Sequence, residues 1–223
     1  MTIEEFENCK KSFYDTTIAD VLRAIDGGSK LGALTLSLIS IDAIAMALSP
    51  KKMIGRGSSF DDFIEKYLSK VKIDYLTKID EIRYIRNLLC HTYGHTKDTL
   101  NYKGKGKLHF SFSHELNRLK HLNLSKAESG VDDYHFHICV LNLVADLVTG
   151  CYIFFNEMES SLEKNGKVLD EWMEYRISIH NADYKGRDYK SLHRFLGILD
   201  SKHSNLESFR MRLEGDLQKS LFA

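Results

Sequence analysis

Proline is almost missing from this chain: Pro50 is the only one in 223 residues. So few helix breakers, together with few strand-type alternations, point to an α protein. Net charge is missing as well, because 31 Lys and Arg balance 31 Asp and Glu. No global field draws such a protein to nucleic acid, so any RNA contact must come from a local patch. Cysteine is sparse: Cys9, Cys90, Cys139 and Cys151 show no C-x-x-C pair and no dense disulfide framework. They read as buried thiols in a reducing cytoplasm. The N-terminal MTIEEFENCKKSF lacks the basic start and immediate apolar run of a signal peptide.

Two apolar runs are present. Residues 31–48 and 138–155 each approach the length of a membrane span, yet each carries a central acid, Asp42 and Asp146. A carboxylate in lipid is costly, so both suit core helices of a bundle better than membrane spans. Asp42, if buried, needs a partner. Arg83, Arg86 and His91 are the candidates, and a solvent-facing Asp on a helix edge is the alternative.

Around these runs, residues 3–26 read as a first helix, broken near Asp15-Thr16-Thr17 and ended by Gly27-Gly28, with Ser29 capping the next. Pro50 closes that second helix. The loop after it, with Lys51, Lys52 and Arg56, reads as a phosphate contact or as an ordinary solvated loop. Ser59 caps a short helix over 60–71. The one stretch with a β pattern follows residue 99: Leu100-Asn101-Tyr102 and 107–112 flank Lys103-Gly104-Lys105-Gly106 as a hairpin. Its Tyr102, Lys103, Lys105 and Lys107 offer a stacking ring and positive charge to an RNA strand; an exposed lysine-rich hairpin is the alternative. A long helix is expected from Val131 to Lys164. From 168 onward the pattern weakens. Residues 1–165 are therefore taken as one helical domain and 166–223 as a helical extension: a subdomain, a dimer arm or a partner-binding surface.

The chain is organised around residues 74–95, DYLTKIDEIRYIRNLLCHTYGH. Tyr75, Ile79, Ile82, Ile85 and Leu89 recur at helical spacing and mark a buried face. Arg86, Asn87, His91, Tyr93 and His95 cluster toward its end. At about 100° per residue, Asn87 and His91 fall on one face, whereas Arg86 stands about 140° from His91. One unbroken helix does not bring arginine and histidine together. Three routes remain open: the helix stops before His91, the arginine stem wraps round, or two chains pair their motifs. His91–x3–His95 has metal-compatible spacing, and His135 and His137 add imidazoles, but no H-E-x-x-H motif is present. No metal and no cofactor is expected. A second spacing of the same kind, Arg187–x5–His193, lacks the following Asn and reads as chance.

Arg86-Asn87-x3-His91-x-Tyr93 resembles the active-site motif of the HEPN superfamily, α-helical proteins of prokaryotic toxin–antitoxin, CRISPR and phage-defence systems. The likeness is sharp over the motif and amounts only to a helical pattern over about 30–160. It implies an all-α, HEPN-like bundle, here with a small hairpin insertion. It further implies a homodimer whose facing motifs cut single-stranded RNA without a metal, with Arg86, Asn87 and His91 catalytic. Asp42 would support them, since such proteins often have an Asp in the helix before the motif helix; Tyr93 and His95 would be further supporting residues. In the toxins it resembles, the tyrosine equivalent to Tyr93 receives AMP from a nucleotidyltransferase antitoxin, a separate protein. Two other readings stand beside this one: a non-catalytic HEPN-like module that holds a nucleotidyltransferase or another partner, and an unrelated helical scaffold.

Overall fold

The computed structural model describes residues 3–48, 59–92, 101–102, 106–126, 133–165, 197–199, 201, 203 and 205–220, with backbone only at 47–48, 91–92, 101–102, 163–165 and 220. The first helix, α1 (Ile3–Phe13), passes through a π-helical turn at Tyr14–Ile18 into α2 (Ala19–Asp26). The wide turn falls on the expected break. Thr16 donates its hydroxyl to the Ser12 carbonyl at 2.6 Å, and β-branched Thr16, Thr17 and Ile18 crowd an ordinary α turn. Gly28, at φ 71°, ends α2 in the left-handed conformation open to glycine, and Ser29 Oγ accepts from the Gly32 N–H at 3.3 Å.

Helix α3 (Lys30–Leu48) is apolar on nearly every side because it has neighbours on nearly every side: α2, the later helix at Val140–Asn165 and the helices after residue 59. Its buried Ser37 and Ser40 donate to the carbonyls of Ala33 and Leu36, both at 2.7 Å, so neither hydroxyl is left without a partner. The expected helix over 60–71 is three pieces: α4 (Ser59–Phe63), a π segment (Ile64–Leu68) and α5 (Ser69–Val71). The expected helix over 74–95 is also divided. After α6 (Asp74–Thr77), Lys78 leaves helical geometry at φ −122°, ψ 14°, and α7 (Ile79–Thr92) starts afresh. The break frees Tyr75 to turn into the core, where it is fully buried.

The largest departure from expectation lies at 131–164. Rather than one helix, Tyr134–Cys139 is a strand and only Val140–Asn165 is helical (α8). The strand pattern is period two: His135 and His137 face one side while Phe136 and Ile138 are buried on the other. Four strands, β1 (Asn101–Tyr102), β2 (Gly106–Ser113), β3 (Asn123–Lys126) and β4 (Tyr134–Cys139), form a sheet in the order β1-β2-β4-β3. The β1–β2 pair is antiparallel, as the hairpin reading requires; β2 and β4 run parallel, and β3 is antiparallel to β4. Leu122 takes φ 63°, unusual for a branched side chain; this turn buries its side chain and brings its N–H to the His137 carbonyl at 2.9 Å. The protein is thus mostly helical with a small mixed sheet.

From Ile138 to Cys151 every residue is buried. Helix α8 is long and apolar enough to cross a membrane, but most of it is enclosed by α1, α3, the π segment at Ile64–Leu68 and the last helix, α9 (Leu206–Ser220). A Cβ on Gly150 would come within 2.8 Å of Leu68 Cδ2, so glycine is needed where these two helical segments cross. Phe209, Leu213 and Leu217 of α9 join the same apolar cluster as α3 and α8, and Phe209 stacks on Tyr152 with ring centroids 4.4 Å apart. The described part of the 166–223 region therefore packs into the main core. Trp172, Tyr175, Ile179 and the Arg187–His193 pair lie outside the described residues.

Candidate active site

Helix α7 carries the motif. Asp80 and Glu81 in its first turn suit the positive end of the helix dipole, and Ile82, Ile85 and Leu89 bury one stripe. Flanking that stripe are two arginines with separate partners. Arg83 makes a two-pronged bond to Asp61 of α4, Nε to Oδ1 at 2.9 Å and Nη2 to Oδ2 at 2.7 Å, and also reaches Asp80 at 3.1 Å. Arg86 turns to α3. Its Nε donates to Asp42 Oδ2 at 2.6 Å, its Nη1 donates to Asn87 Oδ1 at 2.6 Å, and its guanidinium carbon lies 5.7 Å from the Phe60 ring centre.

Of the two arginines open to Asp42, the structure selects Arg86. Both side chains remain partly solvent-accessible, 25% for Asp42 and 28% for Arg86. The bond to Asp42, above all, raises the pKa of the already fixed guanidinium charge. Burial pushes the Cys90 thiol, one turn on, up from its ordinary value; Arg86 partly offsets this and Asp42 adds to it.

The helix runs through His91 to Thr92. Stopping before the histidine is therefore not how this chain brings arginine and histidine together, and on an unbroken helix the two stay about 140° apart. The side chain of His91, and all of Tyr93 and His95, lie outside the described residues, as do the basic loop at Lys51, Lys52 and Arg56.

A second polar surface, which the sequence reading did not assemble, is the outer face of the sheet. Because β2 and β4 are parallel and in register, His109 sits beside His135 and Ser111 beside His137. The rings of His109 and His135 stack with centroids 5.1 Å apart, and Asp133 bridges His109 Nε2 (3.3 Å) and the Lys107 N–H (3.0 Å). The Lys107 N–H, chiefly, holds the Asp133 carboxyl below its ordinary range. Of the expected RNA contacts only Lys107 is placed, exposed at the start of this face. The side chain of Tyr102, and Lys103 and Lys105, are outside the described residues. The alternation Tyr134-His135-Phe136-His137-Ile138 was the signal for this surface, hidden by the apolar run that follows it. His135 and His137 thus belong to the sheet, in different surroundings from α7. An open depression between Gly197-Ile198 and α9 is built from elements other than those of the motif.

Comparison with known proteins finds no family model, no curated protein and no solved structure with a significant match to this chain.

Proposed function

We propose that the chain is a metal-independent endoribonuclease of the HEPN type, a toxin or phage-defence effector that works in the cytoplasm as a homodimer on single-stranded RNA. The observation that carries this reading is Arg86: it stands in the R-N-x3-H-x-Y motif, oriented by Asp42 and Asn87 and still partly open to solvent. Cleavage without a metal needs a base for the 2′-hydroxyl proton, an acid for the leaving 5′-oxygen and a cation for the phosphorane charge. Imidazole serves the first two tasks near neutral pH. A guanidinium clamped through one edge presents its remaining N–H groups in a fixed direction to phosphate oxygens. With α7 unbroken, the histidine opposite a given Arg86 is supplied by a second copy of the motif. The products are a 2′,3′-cyclic phosphate and a 5′-hydroxyl.

One feature favours a second reading, a non-catalytic HEPN-like module that partners a nucleotidyltransferase: Asp42 already neutralises the cation that a phosphate would need. A single assay separates the two. Purified protein is given single-stranded RNA in EDTA beside its Arg86→Ala and His91→Ala variants, with end-group analysis of the products. The nuclease reading expects cyclic-phosphate ends from the wild type and loss of cleavage in both variants. Cleavage that survives in both variants sinks it, and no cleavage by any form leaves the binding module.

A further inference from the structure

At the carboxyl ends of the parallel strands β2 and β4, the sheet's outer face closes on five side chains. His137 and Cys139 share that face two residues apart, and in register beside them are Ser111 and Ser113. Glu115, just beyond β2, bends back over the same spot. One hydroxyl lies at the centre: Ser113 Oγ is 3.0 Å from His137 Nε2, 3.1 Å from Glu115 Oε1 and 3.6 Å from Cys139 Sγ. The imidazole nitrogen, the carboxylate oxygen and the sulfur all lie within 4.8 Å of one another. We propose that Glu115, His137 and Cys139 bind a borderline-soft divalent transition ion of the zinc type, with the fourth tetrahedral position left to water.

The chemistry of the three donors supports this. Nitrogen, oxygen and sulfur from one site suit zinc, whereas magnesium and calcium ask for oxygen alone. Tetrahedral bonds of 2.0–2.3 Å put ligand atoms about 3.5 Å apart, so the cluster must contract by about 1 Å. Rotation of Ser113 about χ1 vacates the centre. His137 is already oriented: its Nδ1 lies 2.8 Å from Ser111 Oγ, and when it donates there, Nε2 turns its lone pair inward. The Cys139 thiol is held at 3.4 Å from the Asn117 carbonyl, and its proton leaves as the ion enters. Lys120, 3.5 Å from Glu115, is the one competing cation among the described contacts, and both side chains are exposed enough for it to swing away. A purely hydrogen-bonded cluster is the competing account: with the ring proton on Nε2, His137 donates to Ser113, Ser113 donates to Glu115 and Ser111 donates to Nδ1, and metal titration separates the two.

The test needs no RNA and so is independent of the nuclease reading. The full chain is stripped with a chelator and titrated with Co2+, followed by the thiolate-to-cobalt charge-transfer band; Zn2+ competition then gives the affinity. The proposal expects one ion per chain, with a band that is lost in Cys139→Ser and kept in Cys9→Ser. Ser111→Ala, which removes the orienting bond, should weaken binding about 10–100-fold. His137→Gln and Glu115→Gln should weaken it at least as much. No uptake by the wild type, or a band that persists in Cys139→Ser, overturns the proposal. If Cys139→Ser does not fold, the half-exposed Glu115→Gln decides: unchanged affinity in that folded variant is equally fatal.

Discussion

Arg210→Met removes one charge from the most enclosed arginine–carboxylate pair among the described residues. Asp146, in the middle of α8, has no solvent exposure, and Arg210 of α9 is only 7% exposed; Nη2 approaches Oδ1 to 2.6 Å. The other carboxylate oxygen accepts from the Tyr75 hydroxyl at 3.1 Å, and His121 Nε2 lies 3.4 Å away. The Cys139 N–H donates to His121 Nδ1 at 3.3 Å, which places the ring proton on Nε2, toward Tyr75 and Asp146. Arg210 also donates to the Val71 carbonyl at 3.1 Å and meets Glu214 at 3.2 Å. Three segments distant in sequence thus converge on one carboxylate.

Methionine keeps the stem's packing but leaves Asp146 with two neutral partners and no counter-charge. Breaking a buried pair in this way costs about 3–5 kcal/mol, against a total of about 5–15 kcal/mol for a typical domain. At about 2–4 °C per kcal/mol for a chain of this size, the melting temperature should drop by about 6–20 °C. The double variant Asp146→Asn/Arg210→Met removes both charges and keeps an acceptor for Tyr75. It should recover at least half of the loss, so the two changes are strongly non-additive. Urea unfolding followed by circular dichroism reads all three quantities. A single variant that loses less than about 1 kcal/mol, the range of an exposed pair, would refute the claim that this pair anchors α9 to the core.

Two further outcomes are expected. Asp42→Asn keeps an acceptor for Arg86 Nε but withdraws the charge; both groups are about a quarter exposed, so the stability cost should be near 1 kcal/mol, while RNA cleavage falls about tenfold or more in kcat through loss of orientation, and an undiminished kcat would count against the brace. Stability should also decline in alkali: burial, with Glu157 beside it, pushes the Tyr67 phenol up to about 12. A raised folded-state pKa means that the folded protein keeps a proton the unfolded chain gives up, so this contribution is complete below about pH 10 and lost as pH climbs toward 12. Tyr67→Phe should flatten the fall of the urea midpoint over that range, and an equally steep fall in the variant would place the cause elsewhere.

The helices were legible where their physics is local. The break near Asp15–Thr17, the glycine stop at Gly28 and the apolar cores of α3 and α8 each follow from a few neighbouring residues. The β4 strand was not, because its signal is six residues long and abuts twelve apolar residues of α8; a short period-two run next to a strong apolar run reads as part of the helix. Parallel pairing of β2 and β4 is a still longer-range fact, and the stacked histidines and the Ser113 cluster exist only because of it. The Asp42–Arg86 pair was legible as a need, a buried-side carboxylate requiring a cation, but which cation answered depended on how α3 crosses α7. Arg83 was equally close in sequence and was taken by Asp61 of α4.

Two acids in two apolar helices looked alike in the sequence, and burial separates them. Asp146 is sealed, and its partners Tyr75, His121 and Arg210 come from α6, the turn before β3 and α9. Such a carboxylate cannot exchange its partner for a ligand without unpacking the helix that supplies Arg210, so its consequence is the fold. Asp42 stands at the rim of the same core. Its partner Arg86 is bound through one edge, and a quarter of each side chain meets water. On the proposed reading, an incoming phosphate would compete there with Asp42 for a partly solvent-accessible cation, at a cost near that of a surface pair. The same ion-pair chemistry therefore gives a fixed strut at one depth and an exchangeable contact at the other, and the motif lies at the exchangeable one.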